Sequence, residues 1–310
     1  MPEGLTRRRC GGRGARGIVR ALAAGAALAV SAGCSGTTAT PPAATAPKPM
    51  EPAQLTALHR LPPVTGLLFA PHLRGAEAQR KLAIACMAER GYRYAPVPPS
   101  KSPDGTDERP QPFGLESTAP RRAATPSVPP EAPPEPGSPE STDAYARALF
   151  GDEAERVTAR GARLSVSRPG EGCLAEAETR VFGDGRMRWL QVRIRLFEAQ
   201  EDARADVEKD VAFRAATTRW RECMDRAEVK AQDPVQVQRS LRSEEERRTG
   251  PVVTADLRCK AETGYLATAY ERLAAAQQRW LDEHPDIGRD WKKLSARQEK
   301  AAGEVLGTQG

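Results

Sequence analysis

From residue 170 to 233 the chain has no proline, and its apolar positions advance by three or four. They run Trp189, Val192, Leu196, Ala199, Ala203, Val207 and Val211, then Ala216, Trp220, Cys223 and Ala227. That is the period of helices with one buried face. QVRIRLF at 191–197 also alternates as a strand would, behind a Gly183-Asp184-Gly185 turn suited to a hairpin. Met187, Leu190, Ile194 and Phe197 keep the helical period through the same stretch, so helix is expected there. Cys259, Leu266, Tyr270, Leu273 and Trp280 line a further face, and Asp282-Glu283-His284 interrupts it ahead of Pro285, a residue suited to an early helical position. No strand–helix–strand rhythm is present, which argues against a two-lobed α/β solute-binding protein. The expected fold is mainly α, an antiparallel helical bundle over residues 143–310.

Proline divides the rest. Residues 94–142 hold 14 of the 27 prolines, whereas 143–310 hold only Pro169, Pro234, Pro251 and Pro285. The first stretch is too poor in apolar surface to offset its ordering entropy and is expected to be a disordered linker. Residues 34–74 open with SGTTATPPAATAPKPM after Cys34 and read as a flexible tether. Between the two lies GAEAQRKLAIACMAERG, a short helix in 75–93 with Leu82, Ala85 and Cys86 on one face and Gly91 at its stop. A helix of that length is not stable alone, so it must dock on the main domain.

The first 33 residues look unlike the rest. A basic stretch ending in Arg20 precedes the uncharged ALAAGAALAVSAG and Cys34, the layout of a secretory signal. The apolar run is shorter than the roughly 20 residues a membrane span needs. Ser31-Ala32-Gly33-Cys34 resembles a bacterial lipobox, with serine where leucine is usual. The resemblance implies that Cys34 becomes the lipidated, palmitate-bearing first residue of the mature chain, held on the outer face of the cell membrane. Arg7, Arg8, Arg9, Arg13, Arg16 and Arg20 against Glu3 account for five of the six net positive charges, so residues 34–310 are close to neutral. Nucleic acid is therefore not an expected partner, because it requires a clustered basic face. GRGARG at 12–17 matches a dinucleotide-binding fingerprint in letters only, since no strand precedes it.

Four cysteines remain: Cys86, Cys173, Cys223 and Cys259. An even set in an exported chain indicates disulfides, and spacings this wide do not suit a structural zinc site. Of the three possible connectivities, Cys86–Cys173 with Cys223–Cys259 is expected, because it docks the isolated helix and staples the two longest helices together. Three of the four begin a C-x-A-E pattern: CMAE at 86, CLAE at 173 and CKAE at 259. Alanine and glutamate after a cysteine allow close helix approach while the carboxylate stays solvated. Cys86-Met87 followed by Gly91-Tyr92, Trp220 before Cys223-Met224, and Gly172-Cys173 are similar to patterns in exported lipoproteins of actinobacteria of the Streptomyces kind. That resemblance implies export and lipid attachment and brings no activity with it.

Chemistry-bearing motifs are sparse. His59, His72 and His284 form no ligand spacing and read as surface residues, and there is no G-x-S-x-G, S-x-x-K or P-loop. EDARADVEKD at 201–210 reads as a solvated helix face with local ion pairs. No catalytic, metal or cofactor site is therefore expected. Trp291, in DWKKL, is the candidate interface anchor. The expected function is a non-catalytic binding or scaffold protein of the cell envelope, contacting an envelope protein or wall component, as an accessory to a transporter or to wall assembly. The alternative is an envelope enzyme with an unfamiliar site. If Cys34 carries the anchor, Cys34→Ala releases the protein into the medium or stalls its processing, as fractionation followed by immunoblotting reports; unchanged membrane retention would refute the assignment.

Overall fold

Each periodic stretch closes as a helix, and at Thr142, Asp210, Asp233 and Ser243 a side chain caps the helix that follows. The computed structural model describes residues 48–99, 109–118 and 137–307, all within one compact unit, Ala46–Gly310. The signal segment and Cys34 lie outside the described residues. Three helices come first: α1 (Pro52–Arg60), α2 (Pro63–Leu68) and α3 (Leu73–Glu89). After the proline-rich stretch come α4 (Asp143–Phe150) and a hairpin of β1 (Arg156–Arg160) and β2 (Ser165–Pro169). The remainder is helical: α5 (Gly172–Phe182), α6 (Arg186–Lys209), α7 (Val211–Arg226), α8 (Pro234–Ser240), α9 (Glu244–Thr249), α10 (Pro251–Thr263), α11 (Tyr265–Glu283) and α12 (Pro285–Gly307).

The stretch at 191–197 lies inside α6, as the helical period requires. Val211, however, does not continue the buried stripe. Asp210 adopts an extended backbone and its carboxylate accepts the Phe213 N–H at 3.0 Å, so a new helix starts there and Val211 is left exposed.

Helices α6 and α11 each run through two apolar cores. One core gathers Leu55, Val207, Trp220, Leu266, Tyr270 and Leu273. The other gathers Val64, Phe182, Trp189, Val192, Leu196 and Trp291. Between them lies a buried polar seam. Gln277 of α11 accepts the Thr65 N–H at 3.1 Å and donates to the Thr65 hydroxyl at 3.0 Å, while that hydroxyl lies 3.4 Å from Gln200 of α6. The seam satisfies its own polar groups, which is what allows it to be dry.

Two expectations about the N-terminal part need correction. The tether expected over 34–74 contains α1 and α2, which are packed: Leu55, Val64, Thr65 and Leu68 are buried. The proline-rich stretch 94–142 also contains an ordered strap at 109–118. Its Phe113, Leu115 and Glu116 are buried, with Phe113 edge-on to Tyr270 at 5.2 Å. Lys260 of α10 donates to the Leu115 carbonyl, and Tyr270 donates to Glu116 at 2.7 Å. Tertiary hydrogen bonds thus hold a segment that has no periodic pattern of its own.

The disulfides are Cys86–Cys173 and Cys223–Cys259, closing sequence separations of 87 and 36 residues. The first docks α3 on α5 and the second links α7 to α10. Closing loops this long constrains the unfolded chain by about 3–4.5 kcal/mol each in the chain-entropy account. Each bond joins a Cys-Met helix to a C-x-A-E helix, and the two Cys-Met helices end alike. Tyr92 N–H reaches the Met87 carbonyl at 2.9 Å across Gly91, and Val229 N–H reaches the Met224 carbonyl at 3.0 Å across Glu228. Gly91 and Glu228 both take positive φ, 79° and 59°, the left-handed step that closes this kind of helix end. Met87 and Met224 are both fully buried beneath these turns.

Around the second bond, Asp256 and Lys260 form a fully buried ion pair at 2.8 Å, and the Trp220 indole N–H donates to Asp256 at 3.0 Å. Burial pushes the Asp256 carboxyl up and the Lys260 ammonium down from their usual ranges, and their mutual attraction opposes both shifts. Asp256→Asn leaves the ammonium without its counter-charge and should cost about 3–5 kcal/mol in urea unfolding. The double variant Asp256→Asn, Lys260→Met should recover a large part of that loss. A single-variant cost below about 1 kcal/mol would mean that the pair carries no such coupling.

Candidate functional site

The hairpin is fixed to the bundle by one carboxylate. Glu198 of α6 is buried and accepts the backbone N–H groups of Ala162, Arg163 and Leu164 at 2.8, 2.6 and 2.7 Å, which covers the hairpin tip. A side chain at Gly161 would stand 2.6 Å from the same carboxylate, so the tip must be glycine there. Burial alone would raise the Glu198 carboxyl, but the three backbone donors and Arg195 bring it below its usual range. The hairpin in turn carries Arg168 on β2 to the mouth of a cavity.

That cavity, about 230 Å³, lies among α3, β2, α5, α6 and α12. Aromatic rings make its apolar wall. Phe182 stacks on Trp189 at 5.0 Å, Trp189 stacks on Trp291 at 4.6 Å, and His72 stands edge-on to both tryptophans at 5.3 and 5.4 Å. Arg193 lies over the Trp189 ring, its Cζ 5.9 Å from the centroid. The Arg186 guanidinium is paired with Glu178 at 2.7 Å. Arg168 and Arg193 have no carboxylate within salt-bridge distance among the described residues, and each guanidinium faces the field of the other. Burial, and then the charge of Arg168, lower Arg193 from its ordinary range.

Two further polar atoms of this wall are buried without a partner among the described residues: His72 Nε2 and Gln298 Oε1. Burial and then Arg193 hold the His72 imidazole below its usual range, opposed by the exposed Glu299. Gln298 enters the wall because Gly75 of α3 has no side chain; a Cβ there would stand 2.2 Å from its amide nitrogen. The wall thus offers cations, an imidazole, an amide and aromatic surface, groups suited to recognising a ligand.

A second cavity, about 450 Å³, lies beside the strap, lined by His59, Thr65, Arg109, Gln200, Arg204 and Tyr270 among others. The His59 ring nitrogen Nε2 pairs with the fully buried Glu116, and Arg109 donates to the His59 carbonyl at 2.7 Å. Burial and Glu116 push the Tyr270 hydroxyl well above its ordinary range, so it stays protonated as the donor to Glu116.

Among the residues expected to matter, the four cysteines are paired and line neither cavity. Trp291 is not an exposed anchor: it is 4% exposed and is the inner member of the aromatic stack. Its spacing to Ile287 and Leu294 on α12 carries that signal, because all three fall on one buried face. The three histidines also differ from their surface reading. His59 and His72 stand at cavity walls, and His284 stacks on Trp280 at 4.2 Å. The acidic run at 201–210 forms local pairs as expected, including Arg204–Glu208 at 3.8 Å. Among the described residues no group of three or more His, Cys, Asp or Glu is placed to hold a metal ion, and no helix is long and apolar enough to cross a membrane.

No protein-family model, curated protein or solved structure matches the chain.

Glu198 binds its proton less readily in the fold than in the unfolded chain. Its contribution to stability is therefore fully present above the ordinary glutamate range near pH 4.5 and is lost as pH falls through its depressed folded value. Glu198→Gln turns one acceptor into a donor facing a backbone N–H. It should cost about 2 kcal/mol or more at neutral pH and flatten the acid limb of the stability curve below pH about 4.5. Thermal melts across that range would show an unchanged limb if the carboxylate were idle.

Proposed function

We propose that the protein is a lipid-anchored, extracytoplasmic binding protein of the cell envelope that works without a catalytic site, as an accessory to transport or wall assembly. The observation that supports this is the preformed cavity at the meeting of α3, β2, α5, α6 and α12. Arg168 and Arg193 of its wall have no carboxylate partner among the described residues, while the scaffold around it is held by a disulfide and a stacked aromatic core. Recognition groups left unsatisfied in a rigid wall lower stability and are retained where a ligand completes them. Cys34 and the signal-like N-terminus support a place at the outer membrane face, and the absence of a clustered basic surface in the sequence speaks against nucleic acid.

One observation favours a second reading, an envelope enzyme. Glu116 and His59 form a carboxylate–imidazole pair at the wall of the larger cavity, an arrangement able to serve as a general base. On this reading His59→Gln abolishes turnover of a wall-derived substrate.

The binding reading makes its own demand. The low-molecular-mass fraction of an envelope extract should raise the melting temperature of the purified protein, since a ligand at 100 times its Kd adds about 2.7 kcal/mol. The extract should be recovered chemically unchanged. Absence of any shift across fractions would refute binding of a small molecule, and conversion of a component that depends on His59 would favour the enzyme.

A further inference from the structure

We infer that the smaller cavity is a site for a small organic oxyanion, a carboxylate or phosphate monoester on an apolar or aromatic body. This rests on the binding reading above and names its ligand class.

The cations of the cavity decide the sign of the ligand. Several partly buried arginines of the bundle have carboxylate partners: Arg186 with Glu178 and Arg188 with Asp286 and Asp290. Arg193 is half-buried and has none among the described residues, and the charge that acts on it in the cavity is another arginine, Arg168. Two like charges converging on a partly desolvated space repel one another and repel any cation. An anion between them removes both penalties, and a planar guanidinium fits a carboxylate or phosphate with paired hydrogen bonds. The facing charges from the other walls fit this account: Glu178 is engaged by Arg186, and Glu299 is exposed beside His72. The net field of the cavity is positive.

The remaining wall decides the body of the ligand. Trp189 and Phe182 present apolar ring surface next to the cations. Gln298 closes the wall behind the rings; it is 3% exposed, and its Oε1 is buried without a partner among the described residues, so it adds a polar backing but no open acceptor. The volume of about 230 Å³ matches on the order of seven or eight waters, which suits a single ring with its anionic group.

The test uses the purified full chain and isothermal titration calorimetry at low salt with four probes: salicylate, phenyl phosphate, the neutral salicylamide and the cationic benzylamine. The anions should bind, more weakly as salt is added, and the neutral and cationic probes should bind at least about tenfold more weakly. The better of the two anions tells a carboxylate from a phosphate ligand. Arg193→Met should cost the anions about tenfold or more in affinity without lowering the melting temperature of the ligand-free protein, because it removes a repulsion. A residue kept for structure would lower it. If Arg193→Met does not fold, Arg168→Met, at an exposed position on β2, carries the same test. The inference is overturned if salicylamide or benzylamine binds as tightly as the anions, if neither anion gives heat up to about 10 mM, or if anion affinity is unchanged in both variants. Should the anions fail while an extract fraction still raises the melting temperature, the ligand class is wrong and the binding reading stands; should both fail, both fall.

Discussion

A lysine ammonium with no access to water sets the terms for half of the molecule. Lys260 is 1% exposed, and its donors must be met inside the protein. Asp256, one turn earlier on α10, meets the charge, and the Leu115 carbonyl meets another donor. The second contact forces the strap into the core. With Leu115 comes Glu116, a buried carboxylate that needs donors of its own and finds them in Tyr270 of α11 and His59 of α1. One buried cation therefore gathers α1, α7, α10, α11 and the strap around a chain of polar obligations. A purely apolar core of this size would hold the same helices more cheaply, but nothing in it would select residues 109–118 from a proline-rich stretch.

The other half of the molecule follows a different rule. There the stacking of Phe182, Trp189 and Trp291 provides an apolar wall, and His72 Nε2 and Gln298 Oε1 are buried beside it without a partner among the described residues. Near Lys260, the buried charges of Asp256, Lys260 and Glu116 find protein partners, although Nε of Arg109 and of Arg258 has no hydrogen-bond partner among the described residues; beside the smaller cavity, His72 Nε2 and Gln298 Oε1 have none among them either. On the binding reading proposed above, the arginines and the aromatic wall of the smaller cavity are where a ligand would be met.

Much of the fold could be read from the sequence because it obeys local periodicity. Trp189, Val192 and Leu196 announce α6, and an even set of cysteines on helical faces announces the two bonds and their pairing. The strap escaped such reading because PQPFGLE contains two apolar residues at no period, and its order comes entirely from partners far along the chain. The hairpin left a weak sign, the alternation in RVTAR before a glycine, but its stability depends on Glu198, which lies 34 to 36 residues away from the tip it holds. Of the site, almost nothing was visible. In a chain with many arginines, only three dimensions tell Arg193, which lacks a carboxylate, from Arg186, which has one. His72 looked solvent-facing because its burial is made by α6 and α12.

The bond between Cys86 and Cys173 also changes what the backbone between them is for. Everything from the end of α3 to the start of α5, including the proline-rich stretch, lies on a covalent side-branch of 87 residues. A pull on the chain at residue 48 travels down α3, crosses the sulfur–sulfur bond into α5 and reaches the bundle without loading that branch. The branch is thus mechanically idle. A single cut in the proline-rich sequence on either side of the 109–118 strap leaves the N-terminal end and the helical body joined by an unbroken path of covalent bonds.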